Sequence, residues 1–293
     1  DKIAEVSEIA SSVYGFDTGS FGSLPPAEDE KILAKLDFNI TNSQRATFTY
    51  LKTEGNQIQE QNGNNFLQGA DLAFPSSWYD RSETIESYIG QLFSDWTDNF
   101  STELKVSYTE QATGQDSLGG AEFPVFSVPS RSDPDLIIAF GPDRFRHGNE
   151  LDQEFFQVKA KAEYVVGSHT LKAGFESETV DVDNLFAQNS EGTYRFDSID
   201  DLRNQIASGV TYDNAVTNDE NDLRAIWGYT VNSIYAQDVW DLNDVFSLQF
   251  GLRYDWYSQD GEIRKNQKFT DRYGFDNTRG FSDLDGVILP RVS

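Results

Sequence analysis

The chain has 293 residues, with no cysteine, no methionine and a formal net charge of -26. The missing cysteines exclude disulfides, thiolate zinc sites and a thiol nucleophile, and the acidity argues against nucleic acid and anionic lipid headgroups as general surface partners. Aromatic residues make up 14% of the chain, which is high for a disordered acidic protein, so we expect a packed structure.

A transmembrane helix is also excluded, because the longest apolar run covers only 136–140. A membrane-spanning strand needs apolar residues at alternate positions only. A chain with a mean hydropathy of -0.56 can therefore still cross a membrane as a β-barrel.

Alternation of apolar and polar residues predicts strands along the whole chain. It is most regular at 246–256, where the even positions are apolar or aromatic and the odd ones polar. Similar patterns cover 32–40, 46–50, 104–108, 156–166, 171–175 and 227–235, while 86–96 is mixed on both faces.

These strands pair into four predicted hairpins, at about 31–52, 85–110, 153–179 and 225–258. Their tight turns, at 41–44, 96–100, 167–169 and 241–244, are rich in residues that favour turns. Long connections separate the hairpins, at about 53–84, 110–152, 180–224 and 259–285. Short turns at one end and long loops at the other are typical of outer-membrane barrels, and a soluble sandwich explains this contrast poorly.

In such a barrel the polar positions of each strand face the lumen. The alternation assigns to the lumen Lys159, Lys161, Glu163, Lys172, Glu176, Arg253 and Asp255. These side chains either line a transport path or contact a plug, or they only hydrate the inner wall.

The segment 232–255 resembles the barrel hairpin of TonB-dependent receptors, with the form YAQDxWxLxDxxxLxxGLRYD. The segments 35–40, 44–50, 140–151 and 289–292 are similar to the branch called Oar-like. The resemblance implies an all-β antiparallel transmembrane barrel of 22 strands in the outer membrane of a Gram-negative bacterium. Residues 1–293 show no TonB box, plug domain or closing strand, so we expect a partial barrel domain of about eight or nine strands.

Arg144, Arg146 and His147 form the one basic cluster of this acidic chain and are candidates for binding an anionic ligand or a sugar phosphate. Alternatively they pair with nearby carboxylates such as Asp143 and Glu150. His147 and His169 are the only histidines and both are expected at exposed positions, so we predict no catalytic site and no enzyme.

Carboxylates are concentrated in the long connections and are candidate ligands for calcium. The candidate ligands, which supply the oxygens that calcium prefers, are Asp181, Asp183, Asp283 and Asp285. Neither pair continues into an EF-hand pattern, and solvated acidic loops are the alternative. The same region predicts a short helix capped by Ser198 and ended by Gly209, packed against the barrel mouth.

The predicted function is a transport receptor that takes up an unknown substrate, with energy supplied by the TonB complex through a region outside this chain. Outer-membrane lipid and other outer-membrane proteins are the further expected partners. The alternatives are a structural or adhesive outer-membrane barrel, a passive porin, or a soluble carbohydrate-binding sandwich.

Overall fold

The computed structural model describes residues 2–61, 72–130, 136–261, 263–278 and 286–293. Within them the helices are α1 (Lys2–Tyr14), α2 (Ile199–Arg203) and α3 (Gln267–Tyr273). None of these is long and apolar enough to cross a membrane. The strands are β1 (Glu28–Asn39), β2 (Gln44–Gln59), β3 (Leu72–Ala73), β4 (Tyr79–Thr97), β5 (Phe100–Ser117), β6 (Val125–Pro129), β7 (Ile137–Phe140), β8 (Asn149–Val166), β9 (His169–Phe186), β10 (Thr193–Arg195), β11 (Gly209–Thr211), β12 (Ala225–Asn243), β13 (Phe246–Asp260) and β14 (Val287–Val292).

The main sheet has nine strands in the order β1-β2-β4-β5-β8-β9-β12-β13-β14, and all neighbours are antiparallel. The all-β antiparallel class is therefore confirmed. In the described residues the sheet is open, since β1 and β14 each pair on one side only. A 22-stranded closed barrel stays a prediction.

The hairpin strands extend further into the long connections than the alternation predicts. β2 runs to Gln59 and pairs with β4 from Tyr79 onwards, where the sequence predicted a connection over 53–84. Residues 53–59 are mostly polar at both odd and even positions, so alternation cannot detect them. Backbone hydrogen bonds to both neighbours nevertheless continue the strand.

One face of the main sheet, which we call the outward face, is apolar from edge to edge. Its register places nine apolar residues in one cross-strand row, namely Phe38, Ala46, Leu92, Leu104, Ala160, Phe175, Ile234, Tyr254 and Ile288. Many large side chains of this face are exposed, including Phe38 and Ile234 at 53% and 50%. Water would penalise such a surface, whereas lipid would not.

Parts of the first three long connections and the N-terminal segment form a second folded unit, which we call the loop-end layer. It contains the five-stranded sheet β11-β10-β6-β7-β3 together with α1 and α2. Its core buries residues from both helices and from β6 and β7, among them Val6, Phe126, Phe140, Ile199 and Leu202. Three of the connections that were predicted as long loops, 53–84, 110–152 and 180–224, therefore contain short strands.

The predicted helix after Ser198 is present as α2, and the Ser198 side chain accepts a hydrogen bond from the Asp201 backbone. It ends at Arg203 rather than near Gly209, which leaves Ile206 61% exposed. The helix packs on α1 and β6 of the loop-end layer. Tyr14 donates a hydrogen bond of 2.6 Å to the carbonyl of Leu202.

Candidate functional site

The face opposite the outward face, which we call the inward face, carries a network of paired charges. Arg253 on β13 is its centre. Its guanidinium lies 2.9 Å from Glu176 on β9 and 2.7 Å from Asp255, and it donates to the hydroxyl of Ser233 at 2.6 Å. One arginine thereby connects three adjacent strands through side chains.

Two more ion pairs continue this network across β5, β8 and β9. Lys161 lies 3.2 Å from Glu103, and Lys172 lies 3.1 Å from Glu163. Lys159 stands directly opposite Glu176 in the register. All seven residues that the alternation assigned to the lumen therefore share the inward face.

Tyr235 belongs to the same face. The alternation at 227–235 counts it among the apolar positions and so predicts the outward face, which is wrong for this strand, because Tyr235 stands opposite Gly174 and Ile234 takes the outward position. The Tyr235 ring lies over Gly174 of β9, where a Cβ atom would approach the ring and hydroxyl to 2.5 Å. A glycine directly opposite a tyrosine on a paired strand was the available signal, but it depends on a register that the sequence alone does not give.

The structure places the basic cluster inside the loop-end region. Arg146 lies 3.3 Å from the buried carboxylate of Asp143 and 4.0 Å above the Tyr79 ring. Asp143 also accepts from the Gln61 side chain at 2.9 Å and from the Phe145 backbone at 3.0 Å. Arg146 thus pairs with Asp143, as the structural alternative predicted, whereas Glu150 pairs with Arg224 at 2.6 Å.

His147 is 1% exposed, so the expectation of an exposed histidine is wrong at this position. Its Nδ1 accepts a hydrogen bond from the Glu191 backbone at 3.3 Å. Burial lowers the pKa of His147 to about 4, and burial also raises the pKa of Asp143, against the opposing effect of Arg146. Binding of an anion by Arg144, Arg146 and His147 stays a hypothesis, and these contacts show what such a ligand would displace.

The calcium candidates Asp181 and Asp183 lie on the outer part of β9. Asp183 is 2.9 Å from Arg224, so it already has a cationic partner. Among the described residues no three histidine or acidic side chains converge as a metal would require. Asp283 and Asp285 lie outside the described residues, and calcium binding stays a prediction.

The loop-end region contains a depression of about 600 Å³. Pockets that bind small ligands commonly have volumes of about 300 to 1,000 Å³. The walls of the depression come from the segment after α1, from the turn before β4 and from the end of β5. Aromatic and apolar residues line it together with one carboxylate, and the lining includes Phe16, Asp17, Pro25, Trp78 and Leu118. The sequence does not predict this site, because its lining segments, which also include Ile58 of β2, are distant in the chain.

An antiparallel sheet with an apolar, exposed outward face and a charged inward face defines the wall of an outer-membrane β-barrel protein. Comparison with protein families agrees: residues 14–289 match the family described as outer membrane beta barrel domain, and the chain belongs to that family. The protein is therefore located in the outer membrane. A comparison with curated protein sequences finds no match.

Solved structures share the fold at low sequence identity. The closed form of the ferric-catecholate import receptor Fiu from E. coli K12 gives a TM-score of 0.51 at 13% identity over 91% of this chain. The open form of Fiu gives a TM-score of 0.50 at 13% identity over 91% of this chain, and the outer-membrane transporter YddB from Escherichia coli gives 0.51 at 12% identity over 79%. The chain spans 39%, 43% and 28% of those three chains, respectively.

Proposed function

We propose that this chain forms part of the wall and outer loops of an active transport receptor of the TonB-dependent type, in its Oar-like branch. In this proposal the inward face lines the path around a plug, and the loop-end layer meets the substrate first. The TonB complex supplies the energy through a part of the receptor outside this chain. The role is binding and transport, with no catalytic step.

The observation that carries the proposal is the paired charge network of the inward face. Arg253, Glu176, Lys161 and Glu103 fix their partners across strands, which gives the wall a hydrated and ordered inner surface. Polar, hydrogen-bonding inner walls are what a solute path or a plug domain requires. The fold shared with Fiu and YddB supports the same proposal, because both are described as importing or transporting proteins.

A second function, a structural or adhesive outer-membrane protein, is favoured by one observation. The loop-end layer has a hydrophobic core of its own and two helices, which is more structure than a loop needs to admit a solute. In that case the layer would bind other molecules at the cell surface and nothing would pass through the wall. A passive porin would differ from both, since it would need no energy.

Uptake measurements distinguish these functions. We would compare nutrient depletion from a defined medium by cells that have the gene, cells that lack it and cells that lack TonB. Active transport predicts at least one compound whose uptake is lost in both deletions. Uptake that depends on the gene but not on TonB would indicate a porin.

A charge variant of the inward face provides the matched test. Exchange of Glu176 and Arg253, as Glu176→Arg with Arg253→Glu, keeps the pair but alters the local field and should reduce uptake without loss of the folded protein. The exposed pair Lys265 and Asp276, 2.9 Å apart outside the main sheet, serves as the control exchange. Full surface display with no compound lost from the medium in any strain would contradict transport and leave the adhesive function.

A further inference from the structure

An ionisable pair lies on the outward face, where apolar residues otherwise dominate. His169 Nδ1 is 2.8 Å from Asp238 Oδ2, and the His169 ring stacks on Trp240 at a centroid distance of 5.3 Å. Asp238 stands directly opposite Leu171 on one neighbouring strand and Phe250 on the other. Both of these apolar side chains are exposed, so Asp238 shares the lipid-facing surface.

One oxygen of this carboxylate has no donor. Asp238 is 8% exposed, and its Oδ1 has no hydrogen-bond partner among the described residues. A carboxylate oxygen enclosed by apolar side chains without a donor costs free energy. Ionisable groups at membrane depth are rare for this reason and commonly mark a functional site with a specific partner.

The same carboxylate lines a groove of about 560 Å³ on the outward face. Three alanines on adjacent strands lie in direct register there, so small side chains leave a furrow between larger neighbours. The apolar lining includes Ala162, Ala173, Ala236, Leu171, Phe250 and Leu252. An acyl chain fits such a lining, and an anionic group within it calls for a cation.

The depth of Asp238 limits where that cation can come from. Its partner Phe250 lies four residues after the start of β13 at Phe246, beside the short turn. That is about 13 Å of strand, or ~10 Å along the membrane normal at a tilt of roughly 40°. Short turns face the periplasm in outer-membrane barrels, so the groove opens to the periplasmic leaflet.

We propose that this groove binds one phospholipid of the periplasmic leaflet with a primary ammonium headgroup. The ammonium donates to Asp238, the acyl chain occupies the alanine-floored groove, and His169 holds the carboxylate in place through its second oxygen. A quaternary ammonium has no N–H to donate, and a glycerol headgroup has no cationic group. The site is therefore selective for the primary amine and is independent of transport.

The test is native mass spectrometry of the whole protein released from nanodiscs of equimolar phosphatidylethanolamine, phosphatidylglycerol and phosphatidylcholine. We expect preferential retention of one phosphatidylethanolamine. Asp238→Asn removes the charge and should lower this retention about tenfold, as the loss of a charge-assisted hydrogen bond does. Equal retention of the three lipids by the unaltered protein would overturn the proposal.

Two further variants keep the test decisive even if Asp238→Asn fails to fold. Ala236→Phe fills the groove with a side chain that lipid tolerates, and it should abolish the retained lipid. Ala34→Phe adds the same side chain to β1, across from Tyr50 on the outward face, and should leave retention unchanged. Retention unaltered by Ala236→Phe, or lost equally with Ala34→Phe, contradicts a specific site.

Discussion

The ring of Tyr235 on β12 covers the backbone of Gly174 on β9, and the two residues stand directly opposite each other in the register. A methyl group at residue 174 would lie 2.5 Å from the ring, closer than packed atoms can approach. The ring fills the space that the missing side chain leaves, beside the Arg253 network.

Gly174→Ala should therefore destabilise the wall, by about 1 to 3 kcal/mol as overpacking commonly does. The effect is measured as the midpoint of unfolding in urea, and heat modifiability on gels reports the folded fraction. Gly90→Ala is the matched control, because Gly90 is also within a strand and its nearest neighbour would be 4.0 Å away. Equal losses in both variants would show that the contact with Tyr235 is unimportant.

The pair Arg253 and Glu176 should show measurable coupling in a double-mutant cycle of Arg253→Met and Glu176→Gln. Each side chain is only about a third exposed and the guanidinium has two further partners, so we expect a coupling of about 1 kcal/mol. The cycle of Lys35→Met with Asp37→Asn is the control, and its longer, more exposed pair should couple by about 0 to 0.5 kcal/mol. A coupling energy between Arg253 and Glu176 that is no larger than that of the control pair would contradict an ordered inward network.

The stability of the loop-end layer should fall in acid through His147. Its pKa is lowered from 6.5 to about 4, so between these values the unfolded chain binds a proton that the folded chain does not. Stability is therefore full above pH 6.5 and decreases as the pH falls toward 4. Asp143 acts in the opposite sense, because its raised pKa lets the folded state bind a proton first.

Comparison with His147→Gln isolates the histidine, since Asp143 is present in both proteins. After correction for the intrinsic exchange rates, hydrogen exchange of residues 137–149 and 186–199 should increase between pH 7 and pH 5. The increase should be larger in the unaltered protein than in His147→Gln. His169→Gln removes the other histidine and should retain the full pH response. An identical response in the unaltered protein and His147→Gln would exclude this origin.

Unfolding of the loop-end layer should be separable from unfolding of the membrane wall. Phe140 is fully buried and contacts the rings of Tyr14, Phe16 and Phe126. Phe140→Ala should cost about 3 to 5 kcal/mol, enough to open the layer to protease. The heat modifiability of the barrel should be retained, and Phe275→Ala, at a side chain 61% exposed, is the control. Loss of the wall together with the layer would show one cooperative unit.

Calcium supplies the remaining prediction. If Asp181 and Asp183 or Asp283 and Asp285 bind the ion, millimolar calcium should raise the melting temperature and a chelator should lower it. Asp181→Asn should reduce the response without breaking the ion pair of Asp183 with Arg224. An unchanged melting temperature in both conditions would end the calcium hypothesis.

The sequence by itself determined the main sheet and, apart from β12, the two faces of its regularly alternating strands, because alternation is a local property. Leu248, Phe250 and Leu252 indicate their face within five residues, whatever the rest of the chain does. The short turns and the inward position of Arg253 and Glu176 follow from the same pattern, whereas the bounds of the long connections do not. The spacing of Ile3, Val6, Ile9 and Val13 is amphipathic and also indicates α1 from the sequence.

Only the tertiary structure decided which of these residues meet. The loop-end layer joins β6, β7 and β10 with α1 across more than a hundred residues, and no local pattern encodes that pairing. His147 is buried because distant segments cover it, and Asp238 lies on an apolar surface because its neighbours on two other strands are Leu171 and Phe250. Burial and charge pairing depend on strand register and long-range packing, so they become known only when the strands are placed side by side.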